Sequence, residues 1–127
     1  MDNKTKEYCN DYISIKLQNG IFQVKWLVEL ADYEFIDKCV KKGIELLDNK
    51  SFPMLLDISK LNCATKEARQ RLSENDSLIG IKAVAIIHKS GVQKILYVIY
   101  KLIQKPKIQT KLFKNKVKAI EWLQQYK

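Results

Sequence analysis

Apolar and polar residues alternate with period two from Tyr12 to Leu17, and again from Ile21 to Leu27. Between the two runs stands Asn19-Gly20, a pair in which both residues tolerate positive φ, so the pattern predicts a β-hairpin. From Asp32 onward the period lengthens. Phe35 with Ile36, Cys39 with Val40, Gly43 with Ile44, and Leu47 recur at three-and-four spacing with charged residues between them. That predicts an amphipathic helix capped by Asp32. The segments 53–59 and 81–87 are short apolar runs after turns, which predict strands buried on both faces. Thr65 stands where it would cap a largely polar helix running through Asn75. Ser90-Gly91 opens an apolar helix, Val92 to Gln104, that Pro106 terminates. Alternation returns over 108–112. Asn115 then caps a last helix whose apolar face is Val117, Ile120, Trp122, Leu123 and Tyr126.

The predicted order is β-β-α-β-α-β-α-β-α, an α/β fold in which strand–helix alternation gives parallel strands joined by crossovers. The apolar strands belong at the centre of the sheet. A progressive winding therefore puts the hairpin at one edge and the last strand, with a solvated Lys111, at the other. The helices are expected to lie largely on one face. A length of 127 residues suits one core, divided into a polar N-terminal arm (1–10) and a single domain (11–127). No apolar run approaches the roughly 20 residues of a membrane span, and the first residues carry no apolar signal core. Cys9, Cys39 and Cys63 are too dispersed for a disulfide framework or a zinc site, and His88 is the sole histidine. A cytoplasmic protein without metal or cofactor is the expectation.

Charge separates the two halves of the chain. Residues 1–76 carry a net −1 and residues 77–127 a net +10, all eleven cations of the second half being Lys. Such asymmetry points to an anionic partner or surface. The scarcity of Arg, at positions 69 and 71 only, argues against sequence-specific nucleic-acid recognition and leaves weak contact with an anionic surface.

Several segments taken in order resemble a known family. They are Leu55-Leu56-Asp57-Ile58-Ser59, Thr65-Lys66-Glu67-Ala68-Arg69, Ala83-Val84-Ala85-Ile86-Ile87, Lys105-Pro106, and Phe113 with Ala119-Ile120-Glu121-Trp122-Leu123. From about Tyr12 to the C-terminus the chain resembles the SpoIIAA-like, or STAS, superfamily, and within it the small stand-alone bacterial proteins. The resemblance implies a SpoIIAA-like sheet. Anti-sigma factor antagonists of that superfamily are phosphorylated on a serine at the start of the second helix. Here the corresponding position falls on Glu67, which no serine kinase can phosphorylate.

Three constellations carry candidate chemistry. Cys63 and His88 are expected near the carboxyl ends of neighbouring strands, where a thiolate–imidazole pair is conceivable. No orienting carboxylate, glycine elbow or oxyanion loop accompanies them, so a packed thiol is the expected role. Lys60, Thr65, Lys66, Lys89 and Ser90 surround two predicted helix N-termini that suit a phosphate or carboxylate. The helix 92–104 is apolar beyond one face: Tyr97 and Val98, flanked by Lys94 and Lys101, form a candidate homodimer contact. The expected function is a non-enzymatic regulatory or protein-interaction module with a protein partner and a homodimeric state. The alternative is a small-ligand-binding module, for an apolar or anionic ligand, using the strand carboxyl ends and helix 92–104.

Overall fold

Asn19 and Gly20 adopt φ of 56° and 74°, the left-handed pair that a two-residue hairpin turn demands. They join β2 (Ile13–Gln18) to β3 (Ile21–Trp26) in antiparallel register, with Ile15 opposite Val24. A computed structural model describes residues 6–89 and 108–127 of the chain. Within them a further strand, β1 (Lys6–Cys9), pairs antiparallel with β2. The hairpin is therefore not the sheet edge, and four residues of the expected arm belong to the sheet. Asn10 makes this possible. Its Oδ1 accepts hydrogen bonds from the backbone N–H groups of Tyr12 (2.7 Å) and Ile13 (2.9 Å) and turns the chain back on itself.

The chain continues through β4 (Leu30–Ala31), α1 (Tyr33–Leu47), β5 (Phe52–Asp57), β6 (Cys63–Ala64), α2 (Lys66–Leu72), a 3₁₀ segment (Asn75–Leu78), β7 (Ile81–Ile87), β8 (Gln109–Phe113) and α3 (Lys116–Leu123). The large sheet has the order β1-β2-β3-β5-β7-β8, parallel from β3 onward. β8 is the far edge and Lys111 is exposed on it, as expected. β4 and β6 pair in parallel as a separate two-stranded sheet.

The predicted caps form. Asp32 Oδ1 accepts from Phe35 N (2.9 Å), Thr65 Oγ1 from Ala68 N (3.0 Å), and Asn115 Oδ1 from Val117 N (2.8 Å) and Lys118 N (3.2 Å). Each satisfies backbone donors that a helix start leaves unpaired. α2 is shorter than expected, because the 3₁₀ segment takes over after Leu72.

Two cores flank the sheet. The larger gathers Ile13, Ile15, Val24, Leu56, Val84 and Ile86 beneath Ile36 and Leu47 of α1 and Leu72 of α2. The smaller sets Ile21, Leu55, Ala83, Ala85 and Ile87 against Ala119 and Leu123 of α3. Helices thus occupy both faces. The buried stripe of α3 is Ala119 with Leu123, while Val117 points outward at 65% exposure, because α3 packs over the small alanines of β7. The segment 92–104 expected to be helical, with Lys94, Tyr97, Val98 and Lys101, and also Ser90, lies outside the described residues. No described helix is long and apolar enough to cross a membrane.

Candidate functional site

The parallel strands β3, β5, β7 and β8 all end at one side of the sheet, where open α/β folds present their variable loops. Three of those loops are tied to one another. Glu29 O, after β3, accepts from Asn62 N (2.8 Å) and Cys63 N (3.1 Å), and Ala31 O accepts from Thr65 N (2.9 Å). The side chains repeat the connection. Asn62 Nδ2 donates to Glu29 Oε1 (3.2 Å), and Lys89 Nζ, following β7, donates to Asn62 Oδ1 (2.6 Å). Asn62 is the hub of this edge, a role that nothing in the sequence around it signals. The small β4–β6 sheet is the backbone part of the same tie.

Of the residues singled out from sequence, Lys60, Thr65, Lys66, Glu67 and Lys89 lie in the described loops and helix start on this side, and two of them, Thr65 and Lys89, have side-chain partners. Thr65 Oγ1 is engaged as the cap of α2, and Lys89 is engaged with Asn62. Lys60 and Lys66 are exposed, as is Glu67 in the first turn of α2. Asp57 Oδ1, from the Asp-x-Ser segment, accepts from Ser59 N (2.9 Å) and shapes the turn leaving β5. Cys63 is exposed, so the packed thiol expected there is not found, and it shares no hydrogen bond with His88. The His88 backbone N–H donates to Phe113 O (3.3 Å), and its Nδ1 lies 3.1 Å from Lys89 O. The dyad geometry is not assembled.

Beside the β3 end of this edge runs an open groove of about 630 Å³, between the β1–β2 turn and one side of α1. Tyr8, Tyr12, Val28, Leu30 and Phe35 supply its apolar walls. Along its rim Lys38 pairs with Glu34 (2.9 Å) and Lys42 with Glu45 (3.1 Å), while Lys42 Nζ also sits 4.4 Å from the Tyr8 ring centroid. Tyr12, Leu30 and Tyr33 keep 60%, 54% and 48% of their surface exposed, three of the five large hydrophobic residues so exposed among those described.

Away from the edge, Arg71 is buried, with 4% exposure. Its Nη1 and Nη2 bind Asp76 Oδ1 (2.7 Å) and Oδ2 (3.0 Å), its Nε binds Asp37 Oδ1 (2.9 Å), and Glu74 lies 3.2 Å from Nη1. The guanidinium holds the Asp76 carboxyl below the usual carboxylate range. Asp37 is held low first by Lys41 and then by Arg71. In turn the Asp76 bond raises the Arg71 pKa further. The planar fork reaches three acids on two segments at once, Asp37 of α1 and Glu74 with Asp76, which a lysine would not. Sequence reasoning missed this cluster, although Arg71 is one of only two arginines and is followed closely by two acids.

Comparison with known proteins supports the fold and leaves the chemistry open. No curated protein matches the chain. Among solved structures it is similar to an uncharacterised protein of the DUF3478 family with a SpoIIAA-like fold from Shewanella loihica PV-4. The TM-score is 0.63 at 19% identity, covering 97% of this chain and 98% of that one. The SpoIIAA-like architecture expected from the Asp-x-Ser strand and the α2 start is the one observed. A family model spans residues 15–127, and the chain accordingly belongs to the family described as domain of unknown function DUF7793.

Proposed function

We propose that this chain is a non-enzymatic regulatory or protein-interaction module of the bacterial cytoplasm, lacking the usual phosphoacceptor serine. The observation that carries the reading is the exposure of Tyr12 and Leu30 on one groove, with Tyr33 exposed three residues after Leu30, beside loops whose polar groups are already bonded to each other. A mutually bonded edge holds its shape without a ligand, and rigid aromatic and aliphatic side chains projecting from it suit a protein contact. Glu67 at the start of α2 is consistent with a contact that no serine kinase switches.

Native mass spectrometry of the tagged chain purified from its own host tests this. A second polypeptide, another copy included, is expected to co-purify with the wild type and to be lost from Leu30→Asp. Recovery of the chain alone, or with a small molecule in place of a polypeptide, overturns the proposal.

A further inference from the structure

We infer that the open edge of β1 is a self-association surface, where a second copy of this chain pairs its own β1 in antiparallel register about a two-fold axis at Tyr8. The sheet of one molecule then continues into the next. The inference rests on the proposed reading of the chain as a protein-contact module, and names the partner as a second copy.

β1 ends the strand order of the large sheet, and its ladder fixes which of its backbone groups point outward. Asn10 N donates to Ile13 O (3.0 Å). In an alternating antiparallel ladder the Tyr8–Ile15 and Lys6–Leu17 pairs are then the bonded ones. Glu7 and Cys9 fall between them, so their N–H and C=O groups face away from β2. Among the described residues neither has a backbone hydrogen-bond partner. Such an edge is ordinarily guarded by a proline, a bulge, a covering loop or a projecting charge. β1 contains no proline, and its register with β2 is unbroken from Lys6 to Cys9. Its two charges are drawn back over their own molecule. Lys6 Nζ donates to Leu46 O (3.3 Å) and lies 4.0 Å from Asp48, while Glu7 Oε1 lies 3.6 Å from Lys16 Nζ of β2. The far edge, β8, keeps Lys111 exposed.

The strand's own sequence selects the occupant. Outward groups must meet outward groups, so a two-fold pairing is centred on Glu7, on Tyr8 or on Cys9. Centring on Glu7 sets Glu7 opposite Glu7, and centring on Cys9 sets Glu7 opposite Asp11, in each case like charges face to face, which destabilise a pair. Centring on Tyr8 sets each Glu7 opposite Cys9, and the two residues exchange both of their backbone hydrogen bonds. It also sets Tyr8 against Tyr8 as a close, non-bonded aromatic pair. β1 is thus complementary to itself in charge and in hydrogen bonding. Tyr8 and Asn10 line the groove that also holds Tyr12 and Leu30, so a copy joined at β1 borders the surface of the proposed contact.

Sedimentation equilibrium of the intact chain tests this, with disulfide trapping as a second measurement. The wild type should be dimeric at about 100 μM. Glu7→Pro removes a donor that points away from β2, so the β1–β2 ladder is kept. Two intermolecular hydrogen bonds per dimer are lost with it, and dimerisation should weaken about thirtyfold. Glu7→Gln, which loses only an exposed ion pair, should dimerise within about threefold of the wild type. A bonded antiparallel pair sets its Cα atoms about 5.5 Å apart, within disulfide reach. Glu7→Cys in a Cys63→Ser background should therefore, on mild oxidation, link the introduced thiol to Cys9 of the second copy. A monomeric wild type, undiminished dimerisation in Glu7→Pro, or no such link between copies would each overturn the inference. Leu30→Asp separates it from the proposed contact. A dimer lost in Leu30→Asp and kept in Glu7→Pro overturns the β1 pairing and leaves the contact standing, and the reverse result upholds the pairing and overturns the contact.

Discussion

Replacing Arg71 by Met removes the guanidinium and keeps most of the apolar stem, so it isolates what the charge contributes. Breaking a fully buried ion cluster by deleting one partner costs about 3–5 kcal/mol, because the remaining charge is stranded. Here Asp37, Glu74 and Asp76 retain 21%, 52% and 39% side-chain exposure and can recover hydration. Lys41 also still pairs with Asp37 at 2.9 Å. The expected loss is therefore about 2–3 kcal/mol, read by urea denaturation, or a fall of roughly 6–12 °C in Tm. The pH dependence adds a second readout. Asp76, through Arg71, and Asp37, through Lys41 and then Arg71, have folded pKa values below the unfolded value near 3.8. Their stabilisation is complete above that unfolded value and disappears as pH falls through the depressed folded values. The stability gap between wild type and Arg71→Met should hold steady from about pH 5 to 8 and narrow below about pH 4. A loss under about 0.5 kcal/mol, typical of a surface substitution, or a gap that does not narrow in acid, would refute this account of the cluster.

Gly80→Ala should destabilise by about 1–3 kcal/mol in the same denaturation assay, since Gly80 has φ of 79° and an added Cβ would lie 2.8 Å from Lys50 O. Asn115→Ala deletes the acceptor of two α3 backbone donors, and a loss of about 1 kcal/mol is expected. Lys111, Lys114, Lys116 and Lys118 form an exposed basic surface. Binding to nucleic acid or anionic vesicles should accordingly be weak at low salt and vanish at moderate salt in a fluorescence titration, because solvated lysines act through screened charge.

Local chemistry was the legible part of this chain. Asn19-Gly20 signals its turn through backbone preference alone, and Asp32, Thr65 and Asn115 signal their helices because a short acceptor before an apolar period has few other uses. The place of β8 at the edge follows from its alternation beside strands that are apolar on both faces. β1 escaped because four residues, two of them charged, are too short to show a period. The β4–β6 pair is shorter still and exists only because two loops meet. The same limit applies to the candidate site. Thr65 and Lys89 were visible as polar groups at a strand edge, but their partners Ala68 and Asn62 decide what they do, and Asn62 is 27 positions from Lys89. Arg71 binds Asp37 across 34 positions, a spacing that no periodicity encodes. Val117 misled because helical spacing marks a stripe without saying which edge of it a neighbour covers.

The smaller core has a consequence for how the chain is made. Its sheet side, Ile21, Leu55, Ala83, Ala85 and Ile87, is complete once β7 has been synthesised, yet Ala119 and Leu123 of α3 come well after β7 in the chain. During synthesis from the N-terminus, a nascent chain that has already formed its hairpin and α1 lacks the helix that closes this stripe. Transiently bare apolar surface of this kind is where partly folded chains associate with one another. A ribosome stalled before codon 116, or a protease clipping after Lys114, would thus release a species with one face finished and the other adhesive. The stripe is hidden only in chains synthesised through α3.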